Sequence, residues 1–121
     1  MINVTHQKQI NDAAVLAFGV VIDEEGLGFL DGVQQMLVMY SAEVTSVNHN
    51  LFSSHDVPRF RHEAGEDAAR LRLATIFQLT FPGAAGLYYG DEIGMTGGAD
   101  PDCRRAFPWD APETWDREMH R

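Results

Sequence analysis

The sequence is short of several things, and each shortage closes off a class of function. It holds one cysteine, Cys103, so no intramolecular disulfide can form, and a reducing, cytoplasmic compartment is the expectation. Basic residues are few: 9 Lys and Arg stand against 18 Asp and Glu, for a net charge of −9. A nucleic acid or an anionic membrane surface would call for a basic face, so neither is an expected partner. No apolar run approaches the ~20 residues that a membrane helix needs. The opening stretch "MINVTHQKQIND" has no basic region followed by an apolar one, so no signal peptide is expected. Repeats and low-complexity tracts are also lacking.

What is present suits one small globular domain: 121 residues, 45% of them hydrophobic. Ile10, Ala13, Ala14, Ala17 and Phe18 paint one face of a helix over 7–18, which Gly19 can stop. Phe29, Leu30, Val33, Met36, Leu37 and Tyr40 repeat that spacing in a second helix. The stretch "VTSVNHNLFSS", 44–54, sets Val44, Val47, Leu51 and Phe52 among short polar residues and predicts a strand. His49 and His55 would then share one side of it. "GEDAARLRLATIFQLTF" predicts a strong helix, with Glu66 and Asp67 suiting its N-terminal dipole and Pro82 and Gly83 ending it. "AAGLYYG", 84–90, is apolar on both faces and predicts a strand buried on both sides, as in a parallel sheet. The order from 44 to 90 is therefore a βαβ unit.

The segment "DEIGMTGGADPDCRRAFPWDAP" is too long for a plain connection and is expected to be an ordered binding loop. "APETWDREMHR" begins like a helix, with Asp110 able to cap and Pro112 at an early position, and reaches Arg121 before it can bury a face. That pattern suggests a chain cut inside a helix. Polar clusters, "SSHDVPRF" and "GDEIGMTGGADPDCRR", follow both strands at their C-terminal ends, where parallel α/β folds carry their sites.

Three chemistries compete for these clusters. A Ser54–His55–Asp56 triad fails, because neighbours in one chain cannot place a base between nucleophile and orienting acid, and no G-x-S-x-G elbow is present. A metal site could draw on His49, His55 and Asp56, or on Asp91, Glu92, Asp100 and Asp102, but zinc and EF-hand spacings are missing, so no metal ligands are assigned. Carbohydrate chemistry fits the mixture of acids, a histidine, arginines and aromatics on one rim, although glycoside hydrolysis needs two flanking carboxyl groups. Tyr88 and Tyr89 read as packing, Phe107 and Trp109 as loop anchors, and Asp91 and Glu92 as groups that cap the strand end and hold the loop.

"NLFSSHDVPRF" followed by "RLRLATIFQLTFPGAAGLYYGDEIGMTGGADPDCRRAFPWD" closely resembles the α-amylase family of glycoside hydrolases, and within it the neopullulanase, cyclomaltodextrinase and maltogenic-amylase branch. The likeness runs from Val44 to Arg121, and the first two helices are consistent with it. It implies an α/β chain that is a fragment of a (β/α)8 TIM barrel, from the end of strand six to the start of the last helix, with 1–121 a partial catalytic domain and no complete second domain. Residues 44–54 would be the seventh strand, 84–90 the eighth, and 112–121 the start of the last helix. By the same resemblance Asp56 is the third carboxylate, which stabilises the distorted, oxocarbenium-like ring, and His55 binds a hydroxyl of the same sugar. Asp100 and Arg104 are implied to bind the neighbouring glucose unit. Arg59 is grouped with the substrate-binding residues, its role left open. No cofactor is implied for this chain, and calcium stays open for a full-length parent.

A complete barrel takes about 250 residues. The family's nucleophilic Asp and acid/base Glu, from the fourth and fifth strands, have no counterpart in these residues. The expectation is a portion of a retaining α-glucan hydrolase, acting on α-1,4 or α-1,6 bonds of maltooligosaccharides, cyclodextrins or pullulan when whole and inactive alone. The alternative is a non-catalytic carbohydrate-binding or scaffold module. The expected partner is an α-glucan in the parent, and self-association is expected of the fragment, whose barrel edges would be bare.

Overall fold

The computed structural model describes residues 33–35 and 37–120. The helix predicted over 7–18 lies outside them. The helix predicted over 29–40 is seen in part, with 33–35 and 37–39 helical.

The chain then departs from the predicted strand. Ala42–Val47 forms a short helix, α1, where an extended segment was expected. The Ser41 side chain caps it by accepting from Val44 N, and Glu43 sits in its first turn, where the dipole favours an acid. The Ser46 hydroxyl bonds back to the Glu43 carbonyl at 2.7 Å. These local bonds outweigh the β-propensity of Val44, Thr45 and Val47. The strand itself, β1, is confined to His49–Asn50. His55 lies beyond it in a bend, so the shared strand face expected for His49 and His55 does not exist.

After a loop and one helical turn, α2 (Phe60–Glu63), comes α3, Ala68–Thr80. Asp67 is its N-cap rather than a first-turn residue and accepts from the amides of Ala69 and Arg70 at 2.8 and 3.3 Å. β2, Ala84–Ala85, pairs parallel with β1 in the register His49–Ala84 and Asn50–Ala85. The expected βαβ unit is thus present, with strands of two residues each. Gln78 of α3 reinforces the pair, donating from Nε2 to the carbonyls of Asn50 at 2.8 Å and Gly86 at 2.7 Å. Gly83 enters β2 at φ 125, and a Cβ there would stand 2.7 Å from the Asn48 carbonyl, so only glycine fits.

The core gathers Phe52, Phe60, Ala64, Leu71 and Ala74, with Phe77 and Met119 packed against it. Burying each large side chain contributes about 1.5–3 kcal/mol. The opposite side of α3 differs: Leu73, Ile76 and Leu79 are exposed. Ala84 and Ala85 are exposed too, so β2 is not buried on both sides as its sequence predicted. A strand is covered on two faces only where helices or further strands pack on both, and among the described residues β1 is its one paired neighbour. The loop after β2 is ordered by short 3-10 turns at Asp91–Ile93 and Asp102–Arg104. The predicted final helix is replaced by two more, Pro112–Thr114 and Arg117–His120; Ala111 and not Asp110 stands at the N-cap position of the first, with no side-chain capping bond. Among the described residues no helix is long and apolar enough to cross a membrane.

Candidate functional site

Residues 53–60 leave β1 and return to α2 as a loop closed at its base. The Ser53 hydroxyl accepts from the Phe60 amide at 3.0 Å, and Ser53 is buried. At the tip, Ser54 turns its hydroxyl to the Asp56 amide at 3.1 Å. That local turn uses the Ser54 oxygen and leaves His55 and Asp56 pointing outward, nearly two-thirds exposed. The His55 Nε2 lies 3.3 Å from Asp56 Oδ2.

The second cluster meets this tip from the Asp102–Arg104 turn. Cys103 is fully buried and directs its Sγ at the His55 carbonyl, 3.6 Å away. Arg104 Nε donates to the same carbonyl at 2.9 Å. Its guanidinium also faces Asp100 Oδ1 at 3.0 Å and Asp56 Oδ1 at 3.9 Å. So His55, Asp56, Asp100 and Arg104, predicted from two separate motifs, form one exposed group of four donor or acceptor side chains that a hydroxylated ligand could meet. The close packing of the turn depends on Gly97, where a Cβ would meet the Asp102 carbonyl at 2.7 Å.

Arg59, grouped by sequence with the substrate-binding residues and its role left open, stands apart from them: it is 0% exposed. Its NH1 donates to the Tyr89 carbonyl at 2.7 Å and to Asp91 Oδ1 at 3.0 Å. Its guanidinium carbon lies 4.6 Å from the Tyr88 ring centroid and 4.9 Å from that of Tyr89. A buried cation requires such partners, because desolvation would otherwise expel it. Tyr88 and Tyr89 therefore pack as expected, and burial pushes the Tyr88 hydroxyl above its usual range.

Asp91 is the residue that sequence reasoning placed too modestly. It is buried, pairs with Arg59 NH1 at 3.0 Å, and is pushed up to about 6, burial outweighing the pull of the neighbouring Ser53 and arginine. Nothing local in "GDEIG" distinguishes it from Glu92. Among the described residues no group of three or more His, Cys, Asp or Glu side chains is placed to hold a metal ion. A cavity of about 350 Å3 lies beside the 3-10 turns, lined by Arg61, Glu66, Met95, Thr96 and Arg105 among others. Its polar groups are engaged with one another: Glu66 accepts from the Thr96 hydroxyl at 2.6 Å, and Arg105 donates to the Thr96 carbonyl.

Residues 28–117 match the family model described as alpha amylase, catalytic domain. The chain is 42% identical over 107 residues to a cyclomaltodextrinase of Geobacillus thermopakistaniensis, covering 88% of this chain and 18% of that protein. It is 45% identical over 76 residues to neopullulanase 2 of Thermoactinomyces vulgaris, covering 63% of this chain and 13% of that protein. Its fold superposes on the debranching enzyme of Nostoc punctiforme with a TM-score of 0.72 at 34% identity, across 91% of this chain and 25% of that one. The chain therefore spans less than a fifth of the length of these two curated relatives.

Proposed function

This chain belongs to the α-amylase family, and from that premise we propose that it is the portion of a retaining α-glucan hydrolase that supplies the supporting sugar contacts of the active site. The observation that carries the reading is the single exposed group formed by His55, Asp56, Asp100 and Arg104. In this role the Asp56 carboxylate accepts hydrogen bonds from hydroxyls of the ring under attack. Such bonds shorten as the ring flattens toward an oxocarbenium-like state, so they lower the barrier more than they tighten ground-state binding. His55 binds a hydroxyl of the same ring. Asp100 and Arg104 hold the adjacent glucose, the arginine as a planar donor and the aspartate as acceptor.

Residues 1–121 form part of the catalytic barrel domain on this reading, and the substrates of the whole enzyme are α-1,4 or α-1,6 linked glucans such as cyclodextrins and pullulan. No step assigned here requires a cofactor. A cytoplasmic location fits the free, buried thiol of Cys103. Cleavage needs a nucleophile and an acid on either side of the bond. The 121 residues are therefore inactive alone. Alone, they associate through the exposed Leu73, Ile76 and Leu79 face of α3 and the bare sheet edges.

The test is a titration of the chain with maltotriose, followed by NMR, beside an assay for released reducing sugar. Saturable shifts at His55 and at the Arg104 side chain, lost in Asp56→Ala, with no turnover, support the reading. Authentic hydrolysis, or shifts that ignore Asp56, would reject it.

A further inference from the structure

The cavity of about 350 Å3 beside the 3-10 turns takes no part in the reading above. Its size suits a small ligand, for which sites run from about 300 to 1,000 Å3. Ile93, Met95 and Pro108 give it an apolar wall, and Arg61, Glu66 and Thr96 give it polar groups. Each of these polar side chains has a partner in the protein, yet capacity is left over. Glu66 uses one oxygen, Oε1, toward both the Thr96 hydroxyl at 2.6 Å and His62 Nδ1 at 3.1 Å. Its Oε2 accepts no hydrogen bond among the described residues. The Thr96 bond first, then His62 and Arg61, hold this carboxyl below its usual range against the opposing effect of burial, so it is an acceptor at neutral pH. Glu66 also has a left-handed backbone, φ 64, which is uncommon outside glycine and collects at ligand sites.

Arg61 donates from NH1 to the Gly94 carbonyl and lies so close to that glycine that a Cβ there would stand 2.6 Å from NH1. Its Nε is buried without a hydrogen-bond partner, and it forms no ion pair among the described residues, Glu66 being paired with His62 instead. The other guanidinium on the lining, Arg105, is answered by Asp102 at 3.1 Å. Arg61 and Glu66 are thus opposite charges that line one cavity without pairing with each other.

We propose that this cavity is a second saccharide site, which takes one hexose unit: Glu66 accepts from one ring hydroxyl, the Arg61 guanidinium donates to the oxygen of another, and Ile93, Met95 and Pro108 meet the C–H face of the ring. The two charges select the ligand. An anion would be repelled by Glu66, and a cation by Arg61. A neutral ring with several hydroxyls brings donors and acceptors together and satisfies both. The site is separate from the rim, since none of His55, Asp56, Asp100 and Arg104 lines the cavity. The hexose class follows from the lining; that the hexose belongs to an α-glucan rests on the reading above.

The test titrates the chain with maltose and reads two places at once by NMR. The Met95 methyl, assigned by its loss in Met95→Leu, reports the cavity, and the His55 ring reports the rim. A saturable Met95 shift is expected, unchanged in Asp56→Ala and weakened about tenfold or more in Arg61→Met, as loss of a charged hydrogen bond implies. Failure of the rim reading would leave the Met95 shift in place, and failure of this proposal would leave that of His55. A Met95 methyl that maltose does not move overturns the proposal, as does a shift of equal strength in Arg61→Met. So does a Met95 shift that vanishes in Asp56→Ala, which marks a relay from the rim, or one that inorganic phosphate reproduces, which marks an anion site. If Arg61→Met does not fold, Glu66→Gly decides, because glycine adopts the left-handed backbone at this position freely: a weakened Met95 shift upholds the site, and one as strong as the parent's rejects it.

Discussion

Arg104 holds the backbone of His55, not its ring. Its Nε donates to the His55 main-chain oxygen at 2.9 Å, while the same guanidinium faces Asp100 at 3.0 Å and Asp56 at 3.9 Å. One side chain thus joins two polar clusters that lie 49 positions apart. Since the arginine is about half exposed, its value is geometric more than energetic.

Arg104→Lys keeps the charge and loses the planar fork. Exposed ion pairs contribute less than about 1 kcal/mol, and the bond to His55 about 1 kcal/mol more. The variant is therefore expected to stay folded and to unfold several degrees below the parent. Maltotriose binding should weaken by about tenfold or more, as loss of a charged hydrogen bond implies. Calorimetric melting beside the saccharide titration separates the two effects.

Arg59→Met should behave in the opposite way. It leaves Asp91 buried without its cation, a loss of about 3–5 kcal/mol for a broken buried pair. Denaturant midpoints measure it. A change within ~0.5 kcal/mol, the range of ordinary surface substitutions, would contradict the buried position of this side chain.

Acidity should act on the same pair. Asp91 lies at about 6 in the folded chain against an ordinary 3.8. A raised carboxyl favours folding most when protonated, so its contribution is full below about pH 4 and is lost as pH rises through about 6. At roughly 1.4 kcal/mol per pH unit the interval amounts to ~3 kcal/mol. Glu66 runs the other way: the Thr96 hydroxyl lowers it, so its share is lost in acid. The informative quantity is therefore the difference between the chain and Asp91→Asn, which cannot ionise. That difference should grow between about pH 4 and about pH 6 and stay level above, and urea unfolding across this range will show whether it does.

Gln78→Leu is expected to destabilise by about 1–3 kcal/mol, because the carbonyls of Asn50 and Gly86 lose a shared donor at the sheet. Exchange of the Ala84 and Gly86 amides, which donate to the Asn48 and Asn50 carbonyls at 2.8 Å, should quicken with it.

The chain produced by itself should sediment as more than a monomer, with the balance shifting on dilution. Leu73→Glu with Ile76→Glu on the exposed face of α3 should return it toward a monomer without loss of the fold. Monomeric behaviour of the parent chain at every concentration would remove this expectation.

Some of this was legible in the residues. The acids Glu66 and Asp67 ahead of a helical apolar run announced α3, because helical spacing and the preference for acids at its start are local, although Asp67 serves as the N-cap and not in the first turn. The motif around His55 and Asp56, and the one around Asp100 and Arg104, named the exposed group before its geometry was known. The strand expected over 44–54 failed because Val44, Thr45 and Val47 favour extension only weakly, and the Ser41 cap and Ser46 back-bond are specific. Leu73, Ile76 and Leu79 are apolar and yet exposed, since burial depends on what packs outside the helix.

The sequence by itself determined the family, the order of strand, helix and strand, and which polar residues gather at the strand ends, since these follow from short-range patterns. Only the tertiary structure decided that Arg59 belongs to the interior and Asp91 to Arg59. A charge is admitted to the interior only by a partner that meets it there. That partner comes from 32 residues away, a distance over which no local pattern reports.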